Sequence, residues 1–164
     1  MAFACAPLVD RAAEFMARVP PRVAHNDAKL DNVLFRDGEA VCLVDFDTLM
    51  LGAWFWDLGD LLRTASTSAA EDEPHPDDVR VDRALYDAVI GGYCDGISET
   101  ATPAEMDALE SAGAIVTFEQ AVRFLTDWIA GDLYYRTSRP DQNRDRARAQ
   151  FRLLASMPGT VTAS

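Results

Sequence analysis

Positive charge is what this chain has least of. Its 164 residues hold a single lysine, Lys29, and Lys and Arg together number 15 against 27 Asp and Glu, for a net charge of −12. That balance argues against a polyanionic partner, whether nucleic acid or an anionic membrane surface, although an acidic protein still binds a nucleotide through Mg²⁺. Cysteine is scarce as well. Cys5, Cys42 and Cys94 are odd in number, far apart and without a C-x-x-C pair, which fits neither a disulfide framework nor a zinc site and points to a reducing cytoplasm. Long apolar runs are missing, and nothing approaches the roughly 20 residues of a membrane span. The apolar stretch 1–9 has no basic segment ahead of it and is interrupted by Asp10, so no signal peptide is expected.

What is present is enough apolar material, 49% of residues with 26% charged, to bury one substantial core, and a single domain over 1–164 is expected. Leu8, Ala12, Phe15, Met16 and Val19 recur at helical spacing before Pro20-Pro21, predicting a leading helix within 1–21. Residues 22–24 should be extended beside the prolines. The apolar runs 33–35 and 41–44 flank Arg36-Asp37-Gly38-Glu39, and Asp-Gly between such runs signals a hairpin. Residues 48–56 are apolar and aromatic around Gly52, and Asp57 stands ahead of a helix-like stretch, 58–65, which it could cap. The acidic, proline-interrupted segment 71–78 reads as a solvated linker. Further helices are predicted over 79–97, weakened by Gly91-Gly92, from the capping box Thr102-Pro103-Ala104-Glu105 through Ala114, and over 118–135, with Gly113 dividing or bending the last two. A final helix over 143–157 turns Phe151 and Leu154 inward. Arg139, Arg144, Arg146, Arg148 and Arg152 give it a basic face, read first as intramolecular pairing and second as phosphate binding. The expected fold class is α+β, mostly α, with one small β-hairpin.

The stretch that carries chemistry reads His25-Asn26-Asp27-Ala28-Lys29-Leu30-Asp31-Asn32, then the hairpin, then Val44-Asp45-Phe46-Asp47. Metal-assisted phosphoryl transfer asks a protein chiefly for positioning and charge neutralisation. Asp27 would take the proton from the attacking hydroxyl, and Lys29 would reach an oxygen of the moving phosphoryl group as a point charge. Asn32 and Asp45, which the hairpin brings to neighbouring strand ends, would supply hard oxygen ligands to a Mg²⁺ shared with the substrate phosphates. Asp47 is either a further metal ligand or a turn-former. His25 is read as a buried structural histidine and Cys42 as a small packed residue on a strand.

The run H-x-D-x-K-x-x-N followed by D-F-x resembles the catalytic loop and metal-binding motif of the protein-kinase-like superfamily. His-Asn-Asp in place of a sequence with arginine is the form of the aminoglycoside phosphotransferase and choline kinase branch of small-molecule kinases. Within that branch, this motif together with Asp57-Leu58-Gly59-Asp60-Leu61-Leu62-Arg63, Arg123-Phe124-Leu125-Thr126-Asp127, Tyr134-Tyr135 and Arg146-Ala147-Arg148-Ala149-Gln150 resembles the N-acetylhexosamine kinases. The likeness implies the C-terminal lobe of a kinase-like fold, with 22–47 as catalytic loop and metal-binding hairpin and 48–164 as a helical substrate-binding part. It implies ATP as phosphoryl donor with Mg²⁺, and as acceptor an amino sugar, an N-acetylhexosamine phosphorylated at its anomeric hydroxyl. Aminoglycoside, choline and homoserine kinases share the central motif and remain alternatives. It also implies that Asp57 braces the catalytic loop and that Arg123 and Tyr134 line the sugar pocket.

Kinase-like enzymes further require an N-terminal nucleotide lobe whose strand lysine pairs with a helical glutamate. Only 24 residues precede His25, and no second lysine exists in this sequence. The expectation is therefore a C-terminal lobe that lacks its partner lobe, with little or no kinase activity by itself and with apolar surface exposed around Val23, Val33 and Leu43. A non-catalytic sugar- or metal-binding remnant, or a helical interaction domain in which the motif is coincidence, are the competing readings.

Overall fold

The computed structural model describes residues 5–160. In chain order the elements are α1 (Pro7–Arg18), β1 (Arg22–Ala24), β2 (Val33–Arg36), β3 (Glu39–Leu43), β4 (Met50–Gly52), α2 (Trp54–Ala65), α3 (Arg83–Ile97), α4 (Pro103–Leu109), α5 (Ala112–Ala130) and α6 (Gln142–Ser156). The class is α+β and mostly α. Among the described residues no helix is long and apolar enough to cross a membrane.

α5 is the central post. Its residues 112–118 are all buried, the signature of a helix packed on every side, and it lies between α2 and α6 with Leu58, Leu62, Leu153 and Leu154 fully buried against it. Gly59 is where α2 and α5 touch. A Cβ at that position would stand 2.2 Å from Val116 Cγ2 and 2.7 Å from the Ala112 carbonyl oxygen, so any side chain would force the two helices apart. α1 closes one side, with Phe15 packed edge-on against Phe55 at a centroid distance of 6.2 Å.

Two small antiparallel pairs sit beside this helical body. β2 and β3 form the predicted hairpin; Asp37 (φ +53) and Gly38 (φ +85) both take the left-handed conformation, as a type I′ turn requires. The second pair joins β1 to β4, with Arg22 opposite Gly52 and Ala24 opposite Met50. The sequence pattern did not indicate β4, because a three-residue strand has no periodicity to read.

That pairing moves the start of α2 back to Trp54, so Asp57 lies within its first turn rather than ahead of it as a cap. α3 starts at Arg83, capped by Asp82, which accepts from the N–H groups of Ala84 and Leu85. The capping box of α4 forms, but α4 stops at Leu109. The break falls there and not at Gly113, which is buried inside α5 beside Leu62 and Met157. α5 ends at Gly131 with φ +94, a left-handed residue that terminates helices, so Tyr134 lies on the following loop and not on a helix. Cys42 is exposed rather than packed. Val23 and Leu43 are exposed and Val33 is half-buried.

The basic residues in and just before α6 are mostly spent on carboxylates: Arg139, ahead of the helix, pairs with Asp72 and Asp145, Arg144 with Asp141, and Arg152 with Asp77. The acidic segment after α2 is accordingly not a plain solvated linker, since Glu71 also bonds Arg63 at 2.8 Å.

Candidate active site

The loop over residues 25–32 is fixed by its backbone. Leaving β1, the chain turns at Asn26, whose φ is +59; asparagine is among the few residues with a side chain that take this conformation readily. Asn26 Nδ2 donates to the carbonyls of Ala24 and Thr48, each at 3.1 Å. Gly52 leaves room for it, because a Cβ there would come within 2.8 Å of Asn26 Oδ1. Asp57 reaches over from α2, its two carboxylate oxygens accepting from the N–H of His25 at 2.9 Å and of Asn26 at 2.7 Å. It therefore braces the loop. Burial pushes the Asp57 carboxyl pKa up, and those two backbone bonds offset only part of that. His25 is buried; its Nε2 donates to the Val44 carbonyl at 2.9 Å, while its own carbonyl accepts from Thr48 Oγ1 at 2.7 Å. These contacts staple the loop to the chain returning from the hairpin and give His25 an architectural place.

Asp27, Lys29 and Asn32 meet directly. Asp27 Oδ2 accepts from Lys29 Nζ at 2.7 Å and from Asn32 Nδ2 at 3.0 Å, and the same Nδ2 donates to the Asp27 carbonyl at 2.8 Å. Oδ1 of Asp27 accepts no hydrogen bond from the described residues, and its side chain is 29% exposed. Burial lowers the pKa of Lys29, but the hydrogen bond and charge of Asp27, with the charges of Asp45 and Asp60, outweigh it and raise the value, so the ammonium stays charged.

Asn32 is itself buried. Because its Nδ2 is committed to Asp27, its Oδ1 is left as a spare oxygen donor. Val44 N–H donates to the Asn32 carbonyl at 3.0 Å, closing the hairpin so that Asp45 follows at the same end. Asp45 sits at φ +65, and Asp47 lies on the short 3₁₀ turn Phe46–Thr48. Both are exposed and neither carboxylate makes a hydrogen bond among the described residues, so nothing shows Asp47 holding the turn. Among the described residues no three His, Cys, Asp or Glu side chains converge as a metal cage. An amide oxygen with one or two carboxylates is the sparse donor set that suits Mg²⁺, an ion that keeps waters and shares substrate phosphates.

A cleft of about 760 Å³ opens from Asp27 and Lys29 across to α5 and α6, and Arg123 and Tyr134 line it too. The structure thus brings all the expected acceptor-side and catalytic residues to one cavity. The loop that carries Tyr134 is held by a residue whose role the sequence pattern did not show. Asp127, buried at the end of α5, accepts from the N–H groups of Leu133, Tyr134 and Tyr135 at 2.8–2.9 Å and from Asn143 Nδ2 at 2.9 Å. Burial pushes its pKa up, but those backbone bonds prevail and hold it below the ordinary carboxylate value. Tyr135, whose hydroxyl accepts from Gln120 Nε2 at 3.2 Å, and Arg63, Arg146 and Gln150 also face the cleft. Arg63 is nearly fully buried and paired with Asp60 and Glu71. A buried arginine has no sequence signature apart from the carboxylate three residues before it.

A family model described as the phosphotransferase enzyme family matches residues 4–109. The matched span takes in the catalytic loop, both strand pairs and α2 to α4, and ends before α5.

Proposed function

The chain belongs to the phosphotransferase enzyme family, and on that premise we propose that it is the catalytic lobe of a small-molecule kinase moving the γ-phosphoryl group of ATP to a hydroxyl. The observation that carries this reading is the unequal use of the Asp27 carboxylate. One oxygen is held by Lys29 and Asn32, while the other accepts no hydrogen bond among the described residues, in a side chain that lines the cleft. A carboxylate oriented through one oxygen has the other available to accept a proton. The acceptor hydroxyl gives its proton to Asp27 Oδ1, its oxygen bonds to the γ-phosphorus, and the bond from that phosphorus to the β–γ bridging oxygen breaks to release ADP. Lys29, paired with Asp27 at 2.7 Å and partly exposed on the cleft, would turn to the phosphoryl oxygens and meet the charge in transit. Asn32 and Asp45, with Asp47 within the same turn, would hold Mg²⁺, which when bound supplies neutralisation of the phosphate charge.

The acceptor we favour is an N-acetylhexosamine at its anomeric hydroxyl, with Arg123 and Tyr134 as contacts. The likeness of the motif segments to the N-acetylhexosamine kinases supports it, and the cleft volume of about 760 Å³ accommodates a monosaccharide beside the phosphates. The test is phosphoryl transfer from ATP with Mg²⁺ to a panel of acceptors, run on the chain alone and on the chain fused to a nucleotide-binding lobe from a relative. The fused protein should transfer, and the chain alone should transfer little. Asp27→Asn should then lower kcat and kcat/KM together by about 10²- to 10⁴-fold with an unchanged melting temperature. A loss below roughly tenfold, or a variant that unfolds while keeping its rate per folded molecule, would make Asp27 architectural.

A further inference from the structure

The wall of the cleft opposite the catalytic loop carries an unusual combination. In a protein of net charge −12, the residues that α2, α5, α6 and their loops contribute to this wall include Arg63, Arg123, Arg136 and Arg146 against a single carboxylate, Glu71. Asp60 and Glu119 stand behind as partners of Arg63 and Arg123, and Arg136 has no ion pair among the described residues. The local balance is therefore neutral to positive.

The same wall is aromatic, with Tyr135 packed between Phe124 at 4.7 Å and Tyr134 at 4.9 Å. Aromatic faces are where a protein receives an ammonium ligand. Here the protein's own guanidinium groups take that place: Arg123 Cζ lies 5.9 Å from the Tyr134 centroid and 5.6 Å from that of Tyr135, and Arg146 Cζ lies 5.4 Å from that of Phe124. A second observation points to what would fit instead. Gln150 is 4% exposed and lines the cleft, and its Oε1 has no hydrogen-bond partner among the described residues. Arg146, one turn before it, has an equally unpartnered Nε, which comes no nearer to Glu71 than 3.7 Å. Buried donors and acceptors left unmade are costly, and a polar neutral ligand seated against Arg146 and Gln150, both of which line the cleft, would supply the missing partners once these side chains turn toward it.

We infer that this cleft selects uncharged or anionic acceptors and rejects ammonium-bearing ones, with Arg123 and Arg146 excluding the cation and Arg146 with Gln150 reading a neutral polar group. This rests on the reading of the cleft as the acceptor side of a phosphotransferase site, and it removes choline and the aminoglycosides from the alternatives.

The test measures binding, without ATP, on the chain itself. N-acetylglucosamine and glucosamine share a ring and differ in charge at one nitrogen; at about pH 6 the amine is protonated. Titration calorimetry should show the N-acetyl sugar binding about tenfold tighter than the amine, the size of one cation–π contact denied. Arg123→Gln, at an exposed position and so tolerated by the fold, should narrow that ratio to about threefold or less by uncovering the tyrosines. Gln150→Glu, nearly isosteric, should shift the preference toward the amine. Equal or tighter binding of glucosamine or choline by the unaltered chain, no detectable binding of the N-acetyl sugar, or a ratio untouched by both variants would overturn the inference. Phosphoryl transfer to an ammonium-bearing acceptor would overturn it while leaving the kinase reading standing; intact selectivity without transfer would do the reverse.

Discussion

Glu105→Gln weighs the frame that stands behind the catalytic loop. Glu105 is 3% exposed, lying just beneath the surface under the groups that bind it. Its Oε1 accepts from Arg22 Nε at 2.7 Å, and its Oε2 accepts from Arg22 Nη2 at 2.9 Å, from the Thr102 N–H at 2.7 Å and from Thr102 Oγ1 at 2.9 Å. Arg22 heads β1, and its guanidinium lies 4.5 Å from the ring of Trp54, the first residue of α2. One carboxylate therefore ties α4 to the two elements that carry His25 and Asp57. The hydrogen bonds from Arg22, with those from Thr102, overcome the effect of burial and pull the Glu105 pKa from its ordinary 4.5 to about 2. A tenfold change in acidity is about 1.4 kcal/mol, so the ceiling on this stabilisation is about 3 kcal/mol. Arg22 is 27% exposed, and water on that side screens the pair to about 1–2 kcal/mol. Glutamine keeps the size and can still complete the capping box through its one oxygen, but its amide nitrogen then faces Arg22 Nε, so the substitution removes the charge together with that hydrogen bond. For a domain of this size the melting temperature should fall by about 3–6 °C near neutral pH. Because the folded pKa lies below the unfolded one, the contribution is fully present above about pH 4.5 and is lost as the pH falls toward about 2. The gap between native chain and variant should close over that window. Thermal unfolding followed by circular dichroism between about pH 7 and pH 3 measures it. A gap that is already negligible near neutrality, or one that does not shrink on acidification, would refute the assignment.

Two further outcomes are expected of the lobe-fused protein. Mg²⁺ and nucleotide should bind better together than separately, and Asp45→Ala should abolish that synergy in calorimetry; synergy that survives in Asp45→Ala and disappears in Asp47→Ala would move the ligand role two residues on. Asp127→Asn should raise the acceptor KM roughly tenfold while kcat stays within about threefold, since it loosens the loop of Tyr134 and Tyr135 without touching Asp27; a drop in melting temperature with unchanged KM would reduce Asp127 to support of the fold.

What the sequence made legible followed from local chemistry. The Asp-Gly turn, the capping box at Thr102 and the helical spacing in α1, α3 and α6 are set by residues close in the chain, and the structure has all of them. The spacing of Asp27, Lys29 and Asn32 also sufficed to place them together, because a tight loop leaves few alternatives. What stayed hidden depends on partners far apart. Strand β4 exists only because β1 is there to pair with it, 30 residues away at Arg22 and Gly52. By local pattern Asp57 reads as a cap, since its contacts are with His25 and Asn26, 32 and 31 residues back; only the family resemblance implied that it braces the loop. The ends of α4 and α5 were misjudged by the same mechanism: buried Gly113 serves packing and not a break, while Gly131 does the terminating. Glu71 and Asp72 gain their meaning only once α2, the loop before α6 and α6 itself bring Arg63, Arg139 and Arg146 to them.

The solitary lysine has a practical side. Nearly every protein of this size offers amine-directed chemistry a crowd of surface targets, whereas this one offers its α-amino group and Lys29, whose Nζ stands 2.7 Å from the Asp27 carboxylate. Reductive methylation with isotopically labelled formaldehyde would therefore write a single side-chain resonance into the molecule, at the atom that the proposed mechanism moves from Asp27 to a phosphoryl oxygen. The site carries its own spectroscopic address, and the arrival of a nucleotide, a metal ion or a sugar could each be watched there without any amino-acid substitution.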